Sequence, residues 1–252
     1  MKTPLAVTAL ATASALLLFS GPLSAADART KLAQAKTDET KSSDAQSAIV
    51  YKAPLRGAPV TRVGGGTRSV ATKQIALSAL APSETGYTMR DKPTIYWYVS
   101  EDLTSPVELT VVSTENLEEA AKPALELKLQ PPIRKGLHAL SLEEHGVTLK
   151  PGVEYQWFVA VVNDAAQRSG DVVAGGSIKR VGESDAVRVR LAQAAPLQRA
   201  AVYAGEGIWY DALDQLSQLI RAEPANYGLR AQRAGLLEQV GLTEAARYDR
   251  AR

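Results

Sequence analysis

The sequence predicts a mainly β protein with α: a seven-stranded antiparallel Ig/fibronectin-like β-sandwich, followed by a C-terminal tetratricopeptide-like helical segment. Three observations predict it. Between Gln74 and Arg180, seven runs rich in β-branched and aromatic residues alternate with turn signals. From Glu183 onward lysine disappears, and Ala, Leu and Gln dominate beside nine arginines and nine acidic residues, a helix-favouring composition. Within that tail Gly207 and Gly241 stand 34 residues apart, the tetratricopeptide period, and each has an alanine five residues on.

In chain order, Lys2 precedes an uncharged Ala/Leu-rich run, Leu5 to Phe19, which Ser20-Gly21-Pro22 breaks. Small residues follow, with cleavage expected after Ala25 or Ala26, so residues 1–26 read as a secretory signal peptide. The run falls short of the roughly 20 apolar residues a membrane span needs. Residues 27–59 are rich in Ala, Ser, Thr, Lys, Asp and Gln and read as a flexible linker. The sandwich is expected over 60–182 and the helical segment over 183–252. The chain has no cysteine, which excludes disulfides, thiolate catalysis and cysteine-ligated metal. An export signal without cysteine predicts a bacterial periplasmic location. The net charge of +2 gives no reason to expect nucleic acid or an anionic membrane as partner.

Gly64-Gly65-Gly66-Thr67-Arg68 lacks the lysine and the following helix of a phosphate loop, and reads as a bend into the first strand. The seven predicted strands are Gln74–Leu80, Thr94–Ser100, Val107–Val112, Leu125–Gln130, Leu137–Leu142, Val153–Val162 and Val172–Arg180. In the sixth, Tyr155, Trp157, Val159 and Val161 share one face, and Trp157 is expected to face Trp97 in the core. The preceding Leu149-Lys150-Pro151-Gly152 makes Tyr155 a candidate corner tyrosine. Gly175-Gly176 is expected to form a β-bulge. In the tail, Ala212, Leu216, Leu219 and Ile220 form one apolar helix face, and Leu229 to Val240 is expected to open a second repeat.

Several motifs stand in a fixed order: the glycine run with Thr67 and Arg68, Pro93 to Val99, Leu149 to Trp157, Arg168-Ser169 through Arg180, and Gly207 to Leu213. Together they resemble the bacterial domain of unknown function 928 family over about Val60 to Arg252. Members often carry a cysteine near the end of the long strand, where this chain has Asn163. The resemblance implies a class and no activity.

No nucleophile elbow or zinc-binding helix motif occurs. His138 and His145 are the only histidines, and His145 with Glu143 and Glu144 is a turn rather than a converging ligand set. No cofactor, metal or catalytic residue is assigned. The weak binding candidates are Arg68 and the loop residues Asp164, Arg168 and Ser169, since sandwich domains often bind through loops. The expected function is that of an exported non-enzymatic module that docks onto another exported or membrane-associated protein. The alternatives are a small-ligand-binding or sensory accessory domain and an uncharacterised hydrolase.

Overall fold

The computed structural model describes residues 48–54, 63–64 and 75–252. The expected signal peptide, residues 27–47 of the linker, Gly65, Gly66 and Arg68 lie outside the described residues. From Ala48 to Arg252 the chain forms one compact unit.

Among the described residues nine strands form: β1 (Val63–Gly64), β2 (Leu77–Ala79), β3 (Gly86–Thr88), β4 (Thr94–Val99), β5 (Val107–Ser113), β6 (Leu125–Leu129), β7 (Gly136–Ser141), β8 (Glu154–Val161) and β9 (Val172–Arg180). One sheet has the order β1-β2-β4-β7 and the other β3-β9-β8-β5-β6. The seven expected strands are present with boundaries shifted by up to three residues, but the sheets are not purely antiparallel. Gly86, Tyr87 and Thr88 pair in parallel with Ile178, Lys179 and Arg180. Three residues containing a glycine carry no readable alternation, so β3 is invisible to periodicity. β1 forms inside the expected bend, pairing Val63 with Ser78.

The long strand β8 alternates as expected: Tyr155, Trp157, Val159 and Val161 are buried. Gly152 has φ +74°, the positive value that the turn requires. Lys150 N donates to the Tyr155 hydroxyl at 3.2 Å, the bond that a corner tyrosine makes to the backbone upstream. Gly175 and Gly176 form no bulge, because β9 pairs continuously with β8 and sets Gly176 opposite Trp157 and Gly175 opposite Phe158. A Cβ on Gly176 would lie 2.9 Å from Trp157 Nε1, and one on Gly175 2.7 Å from the Phe158 ring. The two glycines admit one aromatic ring on each face of the sheet.

Helix α1 (Leu117–Ala120) lies between β5 and β6. The tail folds as α2 (Asp185–Gln193), α3 (Pro196–Gly205), α4 (Trp209–Ala222), α5 (Tyr227–Gln239) and α6 (Thr243–Arg250). Ser184 and Asn226 cap α2 and α5 by accepting from Val187 N and Leu229 N. The turns between α3 and α4 and between α5 and α6 are alike. Gly207 and Gly241 have φ +75° and +78°. Gly207 N donates to Ala204 O and Ile208 N to Tyr203 O, while Gly241 N donates to Glu238 O and Leu242 N to Leu237 O. The sequence offsets match in both turns, and in each the second bond reaches back five residues to close the helix end.

Helix α4 is buried on more than the expected single face. Trp209, Tyr210, Asp211, Ala212, Leu213, Asp214, Leu216, Ser217 and Ile220 are all buried, while Leu219 is half-buried. The cause is its position, enclosed by strands β3 and β4 and helices α3 and α5. The two sheets and the helices therefore share one hydrophobic core. Trp157 and Trp97 are both buried in this core; Trp157 hydrogen-bonds to α4, and the Trp97 indole stacks on His138 with ring centroids 4.2 Å apart. Part of the expected linker is also packed: Ile49 is buried and Tyr51 meets the Trp209 ring edge-on at 4.9 Å. Its average composition hid these two anchors. No described helix is long and apolar enough to cross a membrane.

Candidate binding site

The first turn of α4 bridges both sheets. Trp209 Nε1 donates to Leu80 O at 2.8 Å, just after β2. Tyr210 accepts from Trp157 Nε1 at 2.9 Å and donates to Ser177 O at 3.0 Å. Burial pushes the Tyr210 phenol well above its ordinary range.

Two buried carboxylates follow one turn apart. Asp211 accepts from Met89 N at 2.9 Å and from the Thr88 hydroxyl. Arg90 Nε stands 3.3 Å from its other oxygen, which has no hydrogen bond. Burial outweighs these partners and raises the Asp211 pKa. Asp214 accepts from Tyr96 at 2.6 Å and from Gln218 at 2.6 Å, with Arg90 NH1 2.8 Å away. Burial, then the Asp214 charge, pushes the Tyr96 phenol up to about 12. This constellation ties α4 to β4 and to the segment after β3. Apart from that Asp211 oxygen, its polar groups are spent on one another.

Beyond Asp214 the same faces diverge into a cleft of about 300 Å³. Tyr96, Leu137 and Ala139 from β4 and β7 form its floor; Ile220 and Arg221 of α4, Arg230 and Arg233 of α5, Tyr248 of α6 and Arg252 just beyond it form its walls. Arg233 is buried and donates twice to buried Asp249, at 2.7 Å from Nε and 2.7 Å from NH2. Its NH1 donates to Ser217 Oγ at 2.9 Å, and Ser217 in turn donates to Leu213 O. This pair joins α5 and α6 and consumes the one carboxylate in the lining. Arg230 is served less well. Its NH2 donates to Pro224 O at 3.3 Å and its NH1 lies 3.6 Å from Asp249, while its Nε is buried with no hydrogen-bond partner. Arg221 reaches the Tyr96 hydroxyl, and Arg252 lies over the Tyr248 ring at 5.4 Å. Four guanidiniums thus face one carboxylate among the lining side chains. His138 also borders the cleft, and burial lowers its pKa, which favours the neutral imidazole.

The loop candidates lie elsewhere. Asp164 accepts from Ala166 N within its own turn at 2.8 Å. Arg168 donates to Asp171 and Glu108, both at 2.6 Å, and Asn163 closes the hairpin on Gly170 O at 2.7 Å. Ser169 is exposed in a short 3-10 turn. The structure groups these residues as a self-bonded hairpin tip, apart from the arginine cleft, and His145 is exposed in a separate turn. Among the described residues no group of three His, Asp or Glu side chains is placed to hold a metal ion. Sequence reasoning missed the cleft arginines, treating them only as half of a charge balance. Their signal is the exclusive use of arginine over lysine in the tail, but convergence depends on how α4, α5 and α6 pack.

No curated protein matches the chain. Among solved structures, a multi-domain immunophilin from Arabidopsis thaliana is 11% identical over 77% of this chain and 98% of its own, with a TM-score of 0.15. Residues 63–249 match the family described as Domain of Unknown Function (DUF928), which covers the strands and helices that build the cleft, and the chain belongs to that family.

Proposed function

We propose that the protein is an exported, non-enzymatic binding module that receives an acidic group of another exported or membrane-associated protein in the arginine cleft. One observation carries this reading: four arginines but only one carboxylate side chain line the cleft, and Arg230 Nε is buried without an acceptor. A buried donor left unpaired is costly, and a ligand carboxylate would supply the missing acceptor. Binding is favoured over turnover because guanidinium stays protonated and exchanges no proton near neutral pH.

The finer architecture follows the same reading. The tail is tetratricopeptide-like, supported by the matching turns at Gly207 and Gly241, and repeat helices commonly present protein-binding surfaces. The sandwich is fibronectin-like, supported by its two sheets and the Tyr155 corner bond. The short apolar run after Lys2 supports export, with the bacterial periplasm as the destination.

Crosslinking in intact cells followed by mass spectrometry tests the proposal. One stoichiometric partner should be captured with the unaltered chain and lost with Arg230→Gln; equal capture by that variant contradicts it. A second reading, a small free anion as the ligand, is favoured by the cleft volume of about 300 Å³, the lower end of ligand-pocket sizes.

A further inference from the structure

Residues 48–54 lie along the helical segment as a bound peptide would. Ile49 N donates to Gln232 Oε1 at 3.1 Å and Tyr51 N to Gln239 Oε1 at 2.9 Å. Gln239 Nε2 donates back to Ile49 O at 2.7 Å, and Lys52 N donates to Ala204 O at 3.0 Å, at the end of α3. Each of these bonds uses only the strap's main chain. Its side chains alternate as in a strand: Ile49 is buried, Val50 is 59% exposed, and Tyr51 packs on Trp209. Gly207 leaves the room, since a Cβ there would lie 2.8 Å from Lys52 O. At the equivalent Gly241 a Cβ would meet nothing within 4 Å. One feature of the strap fits badly. The Tyr51 hydroxyl is buried and has no hydrogen-bond partner.

We propose that the groove walled by Gln232, Gln239, Trp209 and the Gly207 turn is a docking site for an extended segment of a partner protein, in which an apolar residue, any one residue and a phenylalanine follow one another, with residues 48–54 as its resident occupant. Amide side chains that read main-chain N–H and C=O groups accept many sequences, as in other modes that recognise extended peptides. The two buried side chains set the pattern, and the exposed Val50 position is unselective. Phenylalanine supplies the same ring as Tyr51 without the unpaired hydroxyl. The groove uses different side chains from the arginine cleft, so either site can fail without the other.

The probes are two fluorescein-labelled peptides spanning Ala48 to Pro54, one native and one with Tyr51→Phe. The tethered strap competes at high effective concentration, so the protein is the full chain carrying Ile49→Asp, which loosens the strap. Both peptides should bind saturably by fluorescence polarisation, the phenylalanine form about ten-fold more tightly. Adding Gln239→Ala should abolish both. No binding to a folded Ile49→Asp chain, or binding unaffected by Gln239→Ala, overturns the proposal. If Ile49→Asp does not fold, hydrogen exchange on the unaltered chain decides. Excess phenylalanine peptide should speed exchange at the Ile49 and Tyr51 amides and leave β8 unchanged, and unchanged strap protection overturns the proposal.

Discussion

Trp157 in the middle of β8 donates its indole N–H to the hydroxyl of Tyr210 in the first turn of α4, at 2.9 Å across 53 residues of sequence. The bond lies where Gly86 and Gly176 leave room for the two rings. It makes the β8–β9 sheet and the helical tail parts of one core, while the bond from Tyr96 to Asp214 at 2.6 Å ties the same helix to the sheet that floors the arginine cleft.

Tyr210→Phe should therefore destabilise the whole unit. It leaves the buried Trp157 N–H without an acceptor and removes the bond to Ser177 O, a loss of about 1–3 kcal/mol. Urea unfolding followed by tryptophan fluorescence and by far-UV circular dichroism should give one lowered midpoint in both signals. Separate transitions would mean that the tail folds apart from the sandwich.

Gly176→Ala introduces a Cβ 2.7 Å from Ala81 Cβ and 2.9 Å from Trp157 Nε1. Overpacking of this kind costs about 1–3 kcal/mol. At Gly182 nothing lies within 4 Å of the added Cβ, so Gly182→Ala should be near neutral in the same denaturation series.

The Arg233–Asp249 pair is buried and bidentate. Asp249→Asn should cost about 3–5 kcal/mol, because it leaves a buried guanidinium without its counter-charge. The double variant Arg233→Met/Asp249→Leu should recover much of that loss in thermal melts. A double variant as unstable as Asp249→Asn would show that α5 and α6 depend on the ionic contact itself.

His138 predicts a pH dependence of defined sign. Burial, against Trp97, holds its imidazole below the ordinary value of 6.5 despite a hydrogen bond to Arg134 O. Its contribution to stability is complete above 6.5 and is lost as pH falls through the folded value, because the unfolded chain takes up the proton first. Urea midpoints measured from about pH 8 down to about pH 5 should fall, and His138→Gln should flatten part of that fall, where the pKa shift is the cause. An identical slope in the variant would remove His138 as the source.

Much of the two-sheet core was legible because β5 and β8 carry long apolar alternations and β4 a continuous apolar and aromatic run. β3 was not, since its parallel pairing depends on the edge that β9 offers rather than on its own three residues. Gly175 and Gly176 were visible, but whether they bend the strand or admit rings is decided by Phe158 and Trp157 opposite them. In α4 the alternation of apolar and acidic residues reads as one buried face. Asp211 and Asp214 become buried only because Arg90, Met89 and Tyr96, more than a hundred residues earlier, supply their partners. The cleft arginines lie on α4, on α5 and at Arg252 beyond the end of α6, so no local pattern could group them.

The central claim is that the cleft accepts carboxylate through an unsatisfied arginine. The most direct measurement is the thermal midpoint of the full chain with increasing citrate, against sodium chloride at equal ionic strength. Citrate should raise the midpoint by about 2–4 °C per kcal/mol of binding, and Arg230→Gln should abolish the rise. A midpoint that citrate leaves unchanged, or an equal rise in Arg230→Gln, would contradict the account.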